Sequence, residues 1–284
     1  MEESLVITSV KNPKIKYLLE LQQKSQERRK AGLFVVEGRR EIEHCIEAHY
    51  EIESIFQSSQ YSAESGEFAT VAETSCGAVA NSPLSILNAK RYIVSPQVYE
   101  KIAYRGSTEG VIAIVRARSL RLEDLRLPEN PLIVVLESVE KPGNLGAVLR
   151  SADAAQADAV IVCDPLTDLY NPNLIRSSIG AVFTVPTVAC SSAACIAFFK
   201  QHGIQILTAQ LQDSSLYYDT DMTCGTAIVM GTESTGLTDQ WRQAATAHIR
   251  IPMLGRLDSL NVSVSAAILL FEAVRQRQTT PSVR

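Results

Sequence analysis

Between residues 132 and 251 the chain repeats one figure: a short, mainly apolar run bounded by polar turns. The runs are Leu132 to Leu136, Ala159 to Cys163, Ala181 to Val185, Ile204 to Thr208, Ala227 to Met230 and His248 to Ile251, and helical segments separate most of them. Short runs without polar alternation read as strands buried on both faces. Such strands, alternating with helices, imply a mainly parallel sheet covered on both sides, an α/β architecture.

A smaller α/β domain is expected ahead of it, over residues 1 to 117. Asn12-Pro13 reads as a helix cap followed by proline at the first helical position. Leu33 to Val36 and Ile52 to Gln57 read as strands on either side of a helix from Glu41 to Ala48, which places Ile42, Cys45 and Ile46 on one face. Ser95-Pro96 repeats the capped start before a helix through Tyr104, and Val111 to Val115 is a further strand. Residues 118 to 130 are charged, end in a proline-flanked turn and read as a linker, leaving 131 to 284 as the second domain. The last helix, Asn261 to about Arg277, is apolar nearly all round from Val262 to Val274, with only Glu272 charged. A surface helix needs one apolar stripe, so this one has a second surface to bury. A subunit partner and a central core position both satisfy that.

No apolar run approaches the roughly 18 residues that span a bilayer, and the N-terminus opens with acids rather than a leader, so an unexported, membrane-free protein is expected. Cysteines at 45, 76, 163, 190, 195 and 224 form no C-x-x-C pair and have no histidine cluster nearby. Neither a metal site nor a disulfide framework is indicated, and a reducing cytoplasm fits. The net charge of −4 conceals a gradient. Lys11, Lys14, Lys16, Lys24, Arg28, Arg29, Lys30, Arg39 and Arg40 face only Glu20, Glu27 and Glu37 in that stretch, which is +6 against −10 elsewhere. Such a stretch is either a solvated helix face or a contact for phosphates.

Three strand-end segments carry glycine and small polar groups. Gly231 to Thr238 nearly matches a phosphate-binding loop, but Leu237 replaces the lysine and Glu233 puts a negative charge where a triphosphate would sit, so an NTPase is excluded. Pro142-Gly143-Asn144-Leu145-Gly146 leads into a helix from Ala147 to Ala155, with Arg150 one turn in. It holds only part of a dinucleotide fingerprint. Ile251 to Ser263 turns from a strand into the last helix, and Ser259 and Asn261 could each cap that helix. No G-x-S-x-G elbow supports a serine hydrolase. Together the three segments read as one composite ligand site.

At these segments the chain closely resembles the SpoU/TrmH branch of the SPOUT methyltransferases, which methylate the ribose 2′-oxygen of structured RNA with S-adenosylmethionine. N-x-G-x-x-x-R is matched by Asn144, Gly146 and Arg150. G-x-E-x-x-G-L is matched by Gly231, Glu233, Gly236 and Leu237, and I-P-M-x-G-x-x-x-S-L-N-V-S by Ile251 to Ser263. The N-terminal half is similar to the family's L30e-like substrate-binding domain, on Phe34-Val35-Val36-Glu37-Gly38. Gln156 departs from the family, where many relatives have glycine, and so does Glu140-Lys141, where an aspartate is common.

The resemblance implies a trefoil-knotted C-terminal domain, a homodimer packed through it, and S-adenosylmethionine held around Gly231, Ile251, Met253, Gly255 and Leu260. It implies catalytic roles for Arg150, Asn144, Glu233, Ser259 and Asn261. A guanidinium stays protonated at working pH, so Arg150 is expected to clamp an RNA phosphate and polarise the hydroxyl while a phosphate oxygen or water takes the proton. Lys11, Lys14, Arg28, Arg29, Lys30, Arg39 and Arg40 are the expected RNA contacts. Ribosomal RNA is favoured over transfer RNA. The alternatives are a transfer-RNA ribose methyltransferase and a non-catalytic ribosome-assembly factor that keeps the cofactor fold.

Overall fold

The computed structural model describes residues 6–60, 89–104, 109–232, 235–256 and 259–279. Glu233 and Cys76, both singled out in the sequence, lie outside the described residues. The chain divides into two compact units. One takes in the chain up to Arg118 together with Tyr170–Arg176, and the other takes in Ser119–Leu169 and the chain from Ser177 on.

In the first unit a helix at Pro13–Gln23 starts where Asn12 accepts a bond from the Lys14 amide at 2.9 Å. A second helix, Ser25–Ala31, ends at Gly32, whose φ of 64° suits glycine. Strands β1 (Leu33–Glu37), β2 (Ile52–Ser58), β3 (Lys90–Val94) and β4 (Val111–Arg116) form a sheet in the order β1-β4-β2-β3. β4 runs antiparallel to both neighbours and β3 is parallel to β2. The apolar residues of helix Pro13–Gln23, Ile15, Leu18 and Leu21, are fully buried in one core with Val35, Phe56 and Ile112.

Residues 131 to 284 were expected as one domain, but Tyr170–Arg176 belongs with the first unit. The physical reason is Tyr170. Its ring stacks on Phe34 at 4.2 Å, and its hydroxyl donates to the Arg118 carbonyl and accepts from the Arg118 amide.

The second unit is a seven-stranded sheet, parallel throughout. Its strands are β5 (Leu132–Glu137), β6 (Ala159–Cys163), β7 (Thr187–Cys190), β8 (Gln205–Ala209), β9 (Ser215–Leu216), β10 (Thr226–Met230) and β11 (Ala247–Arg250), in the order β7-β6-β5-β10-β8-β11-β9. β5, β6 and β10 are buried along their whole length, as their unbroken apolar runs require.

Two segments differ from expectation. Ala181 to Val185 is not a strand. Ile179 and Gly180 both take positive φ, a single helical turn follows at Ala181–Thr184, and the strand begins only after Pro186. The stretch read as a linker carries a short turn at Leu122–Asp124 whose Leu122 is buried, and Leu125 and Leu127 pack on the same core. Spaced leucines in a charged background still supply an apolar stripe.

Candidate active site

β5, β6 and β7 step outward in one direction, and the chain then returns to build β8, β10 and β11 on the other side of β5. Ligands of parallel sheets bind beyond the carboxyl strand ends near such a reversal. A cavity of about 330 Å3 lies there, lined after β8 by Gln210, after β10 by Gly231, and after β11 by Ile251 and Met253. Ser259 and Leu260 close it from the start of the last helix, Val262–Thr279. The cavity volume suits a small-molecule site.

Each motif has a local reason for its shape. A Cβ on Gly231 would stand 2.2 Å from the carbonyl carbon and oxygen of Gly236. The two strands of that loop touch, Thr232 and Gly236 exchanging backbone bonds at 3.3 and 3.1 Å, so only glycine fits at Gly231. Gly236 itself takes a φ of 68°. Leu237 is buried in the core, and Thr238 is held by the buried Glu137 at the end of β5, which accepts from its amide at 2.9 Å and its hydroxyl at 2.6 Å. A Cβ on Gly146 would stand 1.9 Å from Ser177 Oγ, so the helix carrying the first motif lies directly against residues 177 and 178.

That helix begins at Pro142, not at Ala147, because proline starts it without needing an N–H partner. Asn144, Gly146 and Arg150 are therefore all helical, and Arg150 falls in the third turn instead of the first. The helix packs against Val262–Thr279, and at their junction Asn261 Nδ2 donates to Asn144 Oδ1 at 3.2 Å. Asn261 also caps the last helix, its Oδ1 accepting from the Ser263 amide at 3.0 Å. Capping and linking are thus combined in one side chain.

Arg150 is exposed, on an outer stripe with Gly143, Ala147 and Ala154. Its acidic near neighbour Asp153 is engaged by Thr184 at 3.1 Å. Among the described residues the Arg150 side chain makes no hydrogen bond or ion pair, so its guanidinium is available to an anionic partner.

Of the five expected cofactor residues, Gly231, Ile251, Met253 and Leu260 line the cavity together, joined by Ser259. Gly255 does not. It lies on a neighbouring open depression with Arg256, and a Cβ there would meet nothing within 4 Å. Sequence reasoning missed Gln210, Gln212, Thr232, Arg242 and Arg250, which also line the cavity. For Gln210, Gln212, Thr232 and Arg250 the only sequence signal is a place at or just after a strand end, which becomes specific only once the strand order is known, and Arg242, inside the helix Asp239–Ala244, lacks even that.

Among the expected RNA contacts Arg28 is a correction. It is 5% exposed, and its guanidinium donates to the carbonyls of Leu21 at 2.7 Å and Gln22 at 3.1 Å, closing the end of the first helix. Arg39 is half-buried, and its side chain is committed to Glu43 at 2.9 Å. Lys11, Lys14, Arg29, Lys30 and Arg40 are exposed. Lys14 rests its ammonium 3.9 Å from the centre of the Tyr92 ring.

A parallel α/β unit with a glycine-shaped pocket at its strand ends, two linked asparagines and an unencumbered arginine defines a small-molecule-dependent enzyme class. Residues 131–271 match the SpoU rRNA Methylase family and residues 12–113 the MRM3-like substrate binding domain. The chain is 37% identical over 180 residues to the 23S rRNA (guanosine-2′-O-)-methyltransferase RlmB of Pseudomonas putida, covering 61% of this chain and 73% of that one. A crystal structure of an RNA 2′-O ribose methyltransferase superposes with a TM-score of 0.79 at 39% identity, over 96% of this chain and 100% of the other. The AdoMet-bound rRNA methyltransferase of Sinorhizobium meliloti superposes with a TM-score of 0.82 at 27% identity, over 95% and 97%. The chain belongs to the SpoU rRNA methylase family.

Proposed function

We propose that this chain transfers the methyl group of S-adenosylmethionine to a ribose 2′-hydroxyl of ribosomal RNA. The observation that carries the reading is the cavity itself, which gathers Gly231, Ile251, Met253, Ser259 and Leu260 from two separate motifs into one wall. Met230, Leu237, Leu260 and Val262 offer the apolar surface an adenosine needs, while Gln210, Thr232, Ser259 and Ser265 supply polar groups at its edge. Bound there, the cofactor supplies an electrophilic, sulfonium-borne methyl.

The chain's own residues must then activate a poor nucleophile and hold it in line. Arg150 clamps the RNA phosphate next to the target ribose through its planar guanidinium and polarises the hydroxyl. A phosphate oxygen or water takes the proton. Asn144 and Asn261 orient the ribose from the junction of their two helices. Lys11, Lys14, Arg29, Lys30 and Arg40 contact phosphates and position the RNA without reading its bases.

The protein works in the cytoplasm as a homodimer around the knotted fold of its family. Val264 and Phe271, one heptad apart on the last helix, are 47% and 48% exposed, whereas Ala266, Leu269, Leu270 and Ala273 on its other face are fully buried. That leaves an apolar strip for a second copy. Sedimentation should return twice the 31.1 kDa chain mass, and a monomer at micromolar concentration would end the dimer reading.

The reaction is tested by incubating the protein with labelled donor and RNA from a strain lacking the gene, then mapping ribose methyls. Arg150→Ala should lower turnover by roughly a hundredfold to a thousandfold, as loss of a charge-stabilising donor does, while donor binding persists. Near-full turnover in Arg150→Ala or Arg150→Lys rejects its role. Methylation of transfer RNA alone rejects the ribosomal substrate.

A further inference from the structure

The outer strands of the parallel sheet carry a side-chain cluster that methyl transfer does not use. Cys163 ends β6 and Cys190 ends β7, and the two are register partners on neighbouring parallel strands. Cys195 stands in the first turn of the helix Ser192–His202 that follows β7. All three thiols are free, and their sulfurs lie within 4.8 Å of one another. Among the described residues no other group of three or more His, Cys, Asp or Glu side chains converges in this way. Cys163 and Cys195 are fully buried and Cys190 is half-buried, so the triangle has a closed back and one open side.

We propose that Cys163, Cys190 and Cys195 form a site for one thiophilic cation with a filled d shell, zinc above all, with a fourth position open to water beside Cys190. Single buried cysteines behave as small apolar residues. Three sulfurs converging from two strand ends and a helix make instead a ligand set, and thiolates are the donors that select such ions. Tetrahedral zinc, with bonds of about 2.3 Å, spaces its sulfurs by about 3.8 Å. The triangle therefore closes by no more than about 1 Å, within the reach of χ1 adjustment. On binding, each thiol gives up its proton to solvent and each sulfur donates a lone pair to the cation, with no change of oxidation state.

The position gives the ion a consequence. Cys163 is followed by Asp164, and Ser192 lies two residues beyond Cys190. Ser192 Oγ donates to Asp164 at 2.6 Å, accepts from Trp241 Nε1 at 3.0 Å and lies 3.3 Å from Glu137, the carboxylate that holds Thr238 at the end of the Gly231 loop. An ion at the cysteines clamps the strand ends on which this buried network hangs.

The test uses the reduced, chelator-treated full chain, titrated with zinc against a chromophoric chelator. We expect one equivalent of zinc per chain and a raised melting temperature. Cys190→Ser and Cys195→Ser should each lose the bound ion, while Cys224→Ser, at an exposed cysteine, keeps it. Should the serine variants fold poorly, the unmodified chain still decides. Alkylation of Cys190 should slow with zinc and recover on adding chelator. No zinc uptake by the folded chain, uptake that survives Cys190→Ser, or alkylation indifferent to zinc would each overturn the site, whatever the methyl-transfer assay returns.

Discussion

The loop that begins at Gly231 and the turn that joins helices Pro13–Gln23 and Ser25–Ala31 are both places where a side chain's identity is dictated by nearby backbone. In the loop, backbone crowding demands that there be no side chain, and the outcome is a cavity wall. In the turn, open carbonyls at a helix end demand a donor, and the outcome is a buried Arg28 withdrawn from any partner outside the fold. The same backbone pressure thus builds a ligand site in one unit and consumes a cation in the other. A functional inference from residue type therefore holds where the type is forced by the site itself, and fails where the fold has a competing use for it.

The contrast is largest between Gly231 and Gly255 of the second unit. Gly231→Ala places a methyl group 2.2 Å from the Gly236 carbonyl, an overlap that backbone cannot relieve cheaply. We expect this to cost the observed loop about 3 kcal/mol, read by calorimetry as a roughly hundredfold weaker donor. Gly255→Ala meets nothing within 4 Å and should change donor affinity by less than about 0.5 kcal/mol. Equal losses at both positions would mean that motif membership, not crowding at the cavity, decides.

The first unit offers a smaller contrast. Arg28→Ala leaves the Leu21 and Gln22 carbonyls without their charged donor and should cost about 2 kcal/mol in denaturant unfolding. Arg29→Glu and Lys30→Glu, at exposed positions, should leave stability within about 0.5 kcal/mol. They should weaken RNA binding and lower its salt slope by about one for each phosphate no longer neutralised. Unchanged RNA affinity in both charge reversals would reduce the basic stretch to a solvated face.

Most of the second unit's strands were legible because a strand buried on both faces can tolerate little besides apolar residues. The run at Ala181 failed for the same reason: a helical turn buried at every residue but Thr184 looks identical over five residues, and only Ile179 and Gly180 in the left-handed region distinguish it. Two of the three motifs share the cavity and were legible because crowding fixes Gly231 and capping fixes Asn261 locally, whereas Gly146, crowded against Ser177, belongs to a helix joined to them through the Asn261–Asn144 bond. Gln210 and Arg242 were not, since their place in the cavity depends on the strand order β5-β10-β8-β11 and on nothing in their own neighbourhood. The cysteine triangle was hidden likewise, because parallel pairing joins residues 163 and 190, whose separation matches no ligand spacing.

The smallest effect isolates backbone from everything else. Two helices of the second unit end in the same hydrogen-bond pattern. After helix Pro142–Ala154 the Gln156 amide donates to Asp153 and the Ala157 amide to Ala152. After Ser192–His202 the Gly203 amide donates to Lys200 and the Ile204 amide to Phe199. Both ends need a residue in the left-handed region, and φ is 51° at Gln156 and 64° at Gly203. Gln156 pays there the roughly 1–2 kcal/mol that a Cβ suffers at positive φ, against about 0.5–1 kcal/mol that glycine would lose through its freer unfolded chain. Gln156→Gly should therefore stabilise the second unit by about 0.5–1 kcal/mol, seen as a higher denaturant midpoint with an unchanged slope. Gly203→Ala, with no atom within 4 Å of the new methyl, should destabilise it by a similar amount through φ alone. If both substitutions moved the midpoint in the same direction, the left-handed conformation would not be what sets the residue at these two helix ends.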